Sequence, residues 1–582
     1  MVDLTKKPYC LSNEQIAWVE DTIASMSVEE KIGQLFIYLC HDLSTQRDEQ
    51  KRLENIRHIC QTYHIGGLRW QGGTPEQVHG QNKAFQENSR IPLLIAANCE
   101  AGGNGALQSG TLVAPPSACG AASTDEVAFQ MAQVSGSEAT AIGCNWTFAP
   151  VSDVLLNWRN TIVNTRAFGN DPDTIIRCCK AYMRGMAEHG IACCTKHFPG
   201  DGSEERDQHL VMGCNDLSVE EWDKTFGRIY RELFEAGLES VMVGHICQPA
   251  YSRLLRPGIQ DKDIMPATLA PELLQNLLRD KLGFNGLVLT DASHMAGLAC
   301  AAPRSVQVPG AIAAGCDMFL FFNDPAEDFQ YMMDGYRNGI ITQERLHDAL
   351  TRILGLKARL GLPQKTFPPV EGLSVVGCDA HHQVASQSAD ATITLVKDTQ
   401  SLLPVSVEKH RRVKLYFVES APVSYLDGTD KAKAVVVEEL ERLGFQVSCN
   451  TDYYEMECQN PSPINRFRII ETEPVELFKS RYDLVLMVVN MKGYAQENNV
   501  RVKWSASHSN ELPWFVHEVP TIGISLNYTN HLIDLPMLKT YINAYAPTRE
   551  YIRSALEKIV GKSPFKGNFN DVVWCGRWDT RL

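Results

Sequence analysis

A chain of 582 residues is too long for one ordinary hydrophobic core, so two domains are expected. Its composition is that of a soluble globular protein, 44% hydrophobic and 21% charged, and its formal net charge of -14 argues against nucleic acid or anionic membrane as partners. No stretch approaches about 18 uninterrupted apolar residues, and the start MVDLTKKPYC lacks the apolar core of a secretory signal, so the expectation is a cytoplasmic protein. Many of the 18 cysteines sit in apolar runs (Cys193, Cys194, Cys247, Cys316) and no Cys-x-x-Cys pair occurs, which predicts buried, reduced thiols rather than disulfides or a zinc site.

Along the first 360 or so residues, short apolar runs alternate with amphipathic, helix-like segments. The runs are QLFIY (34–38), GGLRW (66–70), LLIAA (93–97), WTFAP (146–150), IACCT (191–195), VMVGH (241–245), LVLTD (287–291) and MFLFF (318–322). Continuous rather than alternating apolar runs suit parallel strands covered on both faces. Eight of them with helices between predict a (β/α)8 barrel, with a doubly wound sheet as the alternative. The prolines Pro363, Pro368 and Pro369 then mark a linker. Beyond it, KLYFV (414–418), AKAVVVEELERLG (432–444), FQVSC (445–449), YDLVLMVVN (482–490) and TIGISL (521–526) predict a smaller α/β sandwich. The expected division is a barrel over 1–362, a linker over 363–385 and the sandwich over 386–582.

A barrel places its active site at the carboxyl ends of its strands. Ionisable and amide groups stand there in this chain: Asn98 and Glu100, Asp153, Lys196 and His197, His245, Asp291, and Asn323 with Asp324. Asp291, in GFNGLVLTDASHM, could be a nucleophile, a base, a metal ligand or a helix N-cap. The loop KHFPGDGSEERDQHL (196–210) holds Asp207 and His209 two residues apart. A carboxylate beside an imidazole fixes one tautomer and stabilises the imidazolium, although an Asp-x-His pair alone also fits a solvated loop. Gly200 and Gly202 would let this loop fold over a ligand.

KHFPGDG with its downstream DQH, FAPVSDV (148–154) with NTRAFG (164–169), and GFNGLVLTD together resemble glycoside hydrolase family 3, and within it the NagZ-like β-N-acetylhexosaminidase branch. DATITLVKDTQSLLPV (390–405) and NHLIDLPMLKTYINAYAPT (530–548) are similar to the α/β sandwich domain of its longer members. The resemblance implies that Asp291 is the nucleophile, His209 the acid/base and Asp207 its orienting partner. It implies sugar-binding positions at Lys196, His197, Arg166, Asn98 and Glu100, and it requires no cofactor or metal. The chemistry is coherent, since retaining hydrolysis uses a nucleophilic carboxylate and a second group that protonates the leaving oxygen and then activates water. An imidazole titrating near about 6.5 can do both.

The chain also departs from the family pattern. Asn98 stands where an Asp is usual, Asp201 where a His is common, and AGGNGALQSG (101–110) replaces a Gly-Arg-Val-x-Arg stretch. An arginine that the family brings to the substrate must therefore come from elsewhere. The implied activity is an exo-acting, retaining β-N-acetylglucosaminidase working on small GlcNAc-containing oligosaccharides or muropeptides, as a monomer or homodimer, in cell-wall recycling or in the intake of such oligosaccharides. Inorganic phosphate in place of water would make it a phosphorylase acting on β-N-acetylglucosaminides or β-glucosides. A metal-dependent amidohydrolase could thread Lys196, His197, His245 and Asp291, but its first strand would carry His-x-His where this chain has only His41. A non-catalytic glycan sensor is a further alternative.

Overall fold

The computed structural model describes residues 2–40, 48–69, 73–419, 432–450, 459–464, 473–491, 498–504 and 511–582. His41, residues 45–47 and Trp70 lie outside the described residues. Two compact units emerge, one of Met1–Val113 with Ala128–His382, the other of Ala114–Val127 with Gln383–Leu582.

The first unit is the expected (β/α)8 barrel. Its strands are β1 (Phe36–Leu39), β2 (Gly67–Arg69), β3 (Leu94–Ala97), β4 (Trp146–Thr147), β5 (Ala192–Phe198), β6 (Ser240–Val243), β7 (Leu287–Ala292) and β8 (Met318–Leu320). All pair in parallel and in chain order, and β8 closes onto β1 through Phe36 and Phe319. Each of the eight apolar runs supplied one strand. The intervening helices bury one stripe each: Phe226–Ala236 buries Phe226, Ile229, Tyr230 and Leu233 and ends at Gly237, whose φ of 97° suits glycine. Inside the barrel the Trp146 indole N–H donates to Ser240 Oγ at 2.8 Å, and that hydroxyl donates to the Cys193 carbonyl. The large apolar ring is thus buried without an orphaned donor.

The second unit is an α/β sandwich around a six-stranded sheet. Its strands are β9 (Thr394–Asp398), β10 (Arg412–Glu419), β11 (Gln446–Cys449), β12 (Leu484–Asn490), β13 (Thr521–Ser525) and β14 (Thr540–Asn543), in the order β9-β14-β13-β12-β10-β11. Only β9 runs antiparallel to its neighbour. A core that includes Val418, Met487, Val489, Leu532, Leu538 and Tyr541 covers the sheet. Among the described residues the cysteines are free thiols, most of them buried, and no helix is long and apolar enough to cross a membrane.

Candidate active site

β5 is the longest barrel strand and carries Lys196 and His197 into the mouth of the barrel. Lys196 Nζ donates to Glu100 Oε1 at 2.6 Å. Arg166 grips the same carboxylate with both arms of its fork, Nε to Oε2 at 2.7 Å and Nη2 to Oε1 at 2.9 Å. Burial alone would raise Glu100, but Arg166 and then Lys196 outweigh it and hold the carboxyl well below the usual range. Burial lowers Lys196, and the Arg166 charge adds to that, while Glu100 raises Arg166. Arg166 and Glu100 therefore form the dominant ion pair, with Lys196 as the third member. A carboxylate matched by two cations serves poorly as an acid/base and well as a frame for donors.

His197 is held on both sides. Its Nδ1–H donates to Asp153 Oδ2 at 2.6 Å, its backbone N–H donates to Asp153 Oδ1, and its Nε2 stands 3.8 Å from Asp291 Oδ2. Asp153 is fully buried and also accepts from the Asp201 backbone N–H at 2.8 Å, so it organises the site by hydrogen bonding. Burial, with the Asp153 carboxylate next to it, pushes Asp201 up to about 8. Asp201 Oδ1 accepts from Asn160 Nδ2 and Gly202 N–H, which leaves a buried and largely protonated acid under the loop.

Asp291 lies near the end of β7. The next helix begins at Ala296 with Met295 as its N-cap, so capping is not the role of Asp291. Its Oδ1 accepts from the Ala292 N–H at 2.7 Å. Burial raises its pKa, but His197, His245 and His209 prevail and lower it to about 2, so the carboxylate is ionised.

Opposite lies the charged loop. His209 Nδ1–H donates to Asp207 Oδ1 at 2.7 Å, and the same oxygen accepts the His209 backbone N–H at 2.8 Å. Asp207 is buried while His209 keeps 21% of its side chain exposed, and the bond to Asp207 leaves Nε2 as the ring nitrogen not engaged by the pair. The backbone ties the loop to the segment after β7: Ala296 N–H donates to the His209 carbonyl at 3.0 Å and Gly297 N–H to the Gln208 carbonyl at 3.1 Å. Gly200 and Gly202 have φ of 117° and 106°, in the left-handed region that favours glycine. A Cβ at Gly200 would meet the Phe226 ring at 2.2 Å, and one at Gly202 the Val154 carbonyl at 2.1 Å.

The structure thus brings Asp291, His209, Asp207, His197, Lys196, Arg166 and Glu100 to one end of the barrel. Asn98 lies there too, its Oδ1 buried with no hydrogen-bond partner among the described residues. Two other strand-end groups are structural. His245 Nε2–H donates to the Ala292 carbonyl, and its Nδ1 stands 2.8 Å from the Thr268 hydroxyl, which also reaches the Gly244 carbonyl. Asp324 caps the helix Pro325–Arg337. Sequence reasoning missed Arg69 at the end of β2 and His294, three residues past Asp291, both of which interact electrostatically with Asp291. Arg69 was visible as a charge ending an otherwise apolar run; nothing marked His294. Among the described residues no three His, Cys, Asp or Glu side chains are grouped to hold a metal ion. An ionised carboxylate and an oriented imidazole at one mouth can act as a nucleophile and as a proton donor and acceptor.

The profile of the glycosyl hydrolase family 3 N-terminal domain matches residues 27–356. A β-N-acetylglucosaminidase/β-glucosidase of Cellulomonas fimi is 40% identical over the full length of both chains. A β-hexosaminidase of Chromobacterium violaceum is 33% identical over 33% of this chain and 51% of its own. Among solved structures, the β-glucoside phosphorylase BglX bound to 2FGlc superposes with a TM-score of 0.88 at 38% identity, covering 97% of this chain and 98% of that one. The chain belongs to glycosyl hydrolase family 3.

Proposed function

We propose that this chain is an exo-acting, retaining β-glycosidase that removes terminal β-linked N-acetylglucosamine. Asp291 attacks the anomeric carbon while His209, oriented by Asp207, gives its Nε2 proton to the departing oxygen. The covalent glycosyl-enzyme is then released by water, whose proton returns to His209. Lys196, Arg166, His197, Asn98 and Glu100 bind the sugar: the cations donate to hydroxyls, and the orphaned Asn98 Oδ1 accepts from one. The observation that carries this reading is the 2.7 Å Asp207–His209 pair, tied by backbone hydrogen bonds to the segment that follows Asp291. The names of the Cellulomonas fimi and Chromobacterium violaceum relatives support the sugar class, and the first of them adds glucosides.

A second reading keeps every residue and changes the acceptor. Orthophosphate in place of water would yield a glycosyl 1-phosphate, and the BglX phosphorylase, alike over nearly the whole chain, favours it. An imidazole acid/base repels an incoming anion less than a second carboxylate would. Products from a β-linked GlcNAc disaccharide and a β-glucoside, with and without phosphate and alongside Asp291→Asn, separate the readings. Free sugar in both buffers supports the hydrolase, and glycosyl 1-phosphate as the main product supports the phosphorylase. Turnover surviving in Asp291→Asn would remove the nucleophile assignment from both.

A further inference from the structure

Arg69 ends β2, in register with Leu39 of β1 and Ala96 of β3, at the same barrel end as the site residues. Its Nε is buried and, among the described residues, has no hydrogen-bond partner. Other cations at this mouth are matched: Arg166 and Lys196 share Glu100, and Arg304 pairs with Asp328 at 2.6 Å. Glu100 and Asp291 act on Arg69 only through space, and Arg166 repels it. Arg69 is half-buried; a buried guanidinium nitrogen without a partner among the described residues is costly, and the planar fork of donors fits the oxygens of an oxyanion. His294, which is exposed, stacks on Phe321 with centroids 6.5 Å apart and interacts electrostatically with Asp291, His209, Arg304 and Arg69.

We propose that Arg69, with His294, forms an oxyanion subsite beside Asp291 that receives the attacking phosphate in the second half of the reaction. This rests on the phosphorolytic reading above. While Asp291 is ionised, its charge opposes entry of another anion. Once Asp291 is esterified it is neutral, and the remaining carboxylate that reaches Arg69, Glu100, is already matched by two cations. The subsite is therefore strongest when the glycosyl-enzyme is present. An oxygen of hydrogen phosphate dianion bonds to the anomeric carbon as the ester C–O bond breaks. The electron pair of that bond returns to Asp291 as carboxylate, the phosphate's proton passes to His209 Nε2 and restores the acid, and the glycosyl phosphate leaves as its dianion. A carboxylate or phosphate on the leaving-group sugar would present the same chemistry, so the test separates the two sources.

An aryl 2-deoxy-2-fluoro-β-glucoside accumulates the glycosyl-enzyme. Its release is followed with inorganic phosphate, with sulfate and with no added anion, in wild type, Arg69→Gln and Arg69→Lys. Phosphate is expected to speed release saturably in wild type. Arg69→Gln should raise the half-saturating phosphate concentration about tenfold or more, with Arg69→Lys recovering part of the loss. The burst of aryl release, which reports folding and sugar binding, should fall less than the phosphate step does. Equal losses in burst and release, or an unchanged phosphate dependence in Arg69→Gln, would overturn the subsite. If phosphate fails to speed release even in wild type, it is the phosphorolytic reading that has failed. The subsite then survives, with an anionic leaving-group sugar as its ligand, if sulfate inhibits wild-type hydrolysis and not Arg69→Gln; sulfate acting alike on both removes it.

Discussion

The backbone N–H of Ala296 donates to the carbonyl of His209 at 3.0 Å, joining the loop after β5 to the helix that follows β7. This bond can be cut with little other damage. Ala296 is the first residue of its helix, where proline is tolerated, and Met295 (φ -66°, ψ 140°) already has the extended backbone that a residue before proline prefers. Ala296→Pro is expected to lower kcat about tenfold while lowering Tm by only about 2 °C. Steady-state kinetics beside a thermal scan check it, and unchanged kcat would mean the loop holds its place without this bond.

Asp207 fixes the proton of His209 on Nδ1. Asp207→Asn keeps the shape and loses the charge that stabilises imidazolium, so kcat is expected to fall by about 10² to 10⁴ with little change in KM. The loss should be larger for alkyl than for nitrophenyl leaving groups, because only the former need the proton. A loss independent of the leaving group would take His209 out of acid catalysis.

Glu100 neutralises two cations in a largely buried cluster. Glu100→Ala leaves Lys196 and Arg166 facing each other, and is expected to cost about 3–5 kcal/mol in urea unfolding. Lys196→Met, which leaves the Arg166–Glu100 pair intact, should cost less. The reverse order would show that Lys196, not Arg166, is the principal partner.

Asp201 is a buried acid raised from its ordinary 3.8 to about 8. Between those values the folded state keeps a proton that the unfolded chain has lost. The resulting stabilisation is therefore complete at low pH, declines as pH rises and is gone above about 8. Asp201→Asn, which keeps the Oδ1 acceptor for Asn160 and Gly202, should thus gain on wild type as pH rises from about 4 to 8, by at least about 1 kcal/mol. Parallel stability–pH curves for the two proteins would refute it.

How much of this was legible beforehand depended on the range of the interaction. All eight barrel strands could be read because parallel, doubly covered strands demand unbroken apolar runs. Lys196, His197, Asp207, His209 and Asp291 stood out because polar groups cluster directly after those runs. Asp324 also followed a strand, yet the Pro325 after it is the mark of a helix start, and a cap is what it proved to be. His245 looked equally functional, and its burial with both ring nitrogens engaged emerges only in three dimensions. The protonation of Asp201 comes from its burial and from Asp153, 48 residues away in sequence, with no local trace. Arg69 carried a visible signal, but a single arginine ending a strand is read most simply as reaching to solvent.

The excursion at 114–127 bears on how this protein could have been assembled. Its six-residue helix Pro116–Ala121 is largely buried, and the Ala121 carbonyl accepts from the Asn568 N–H at 2.8 Å within the second unit. A gene ending after His382 would encode that segment without its partners, and one starting at Gln383 would lack it. The two units are interleaved along the chain, so a cut at 382/383 separates the 114–127 segment from Asn568 and the rest of the second unit's chain.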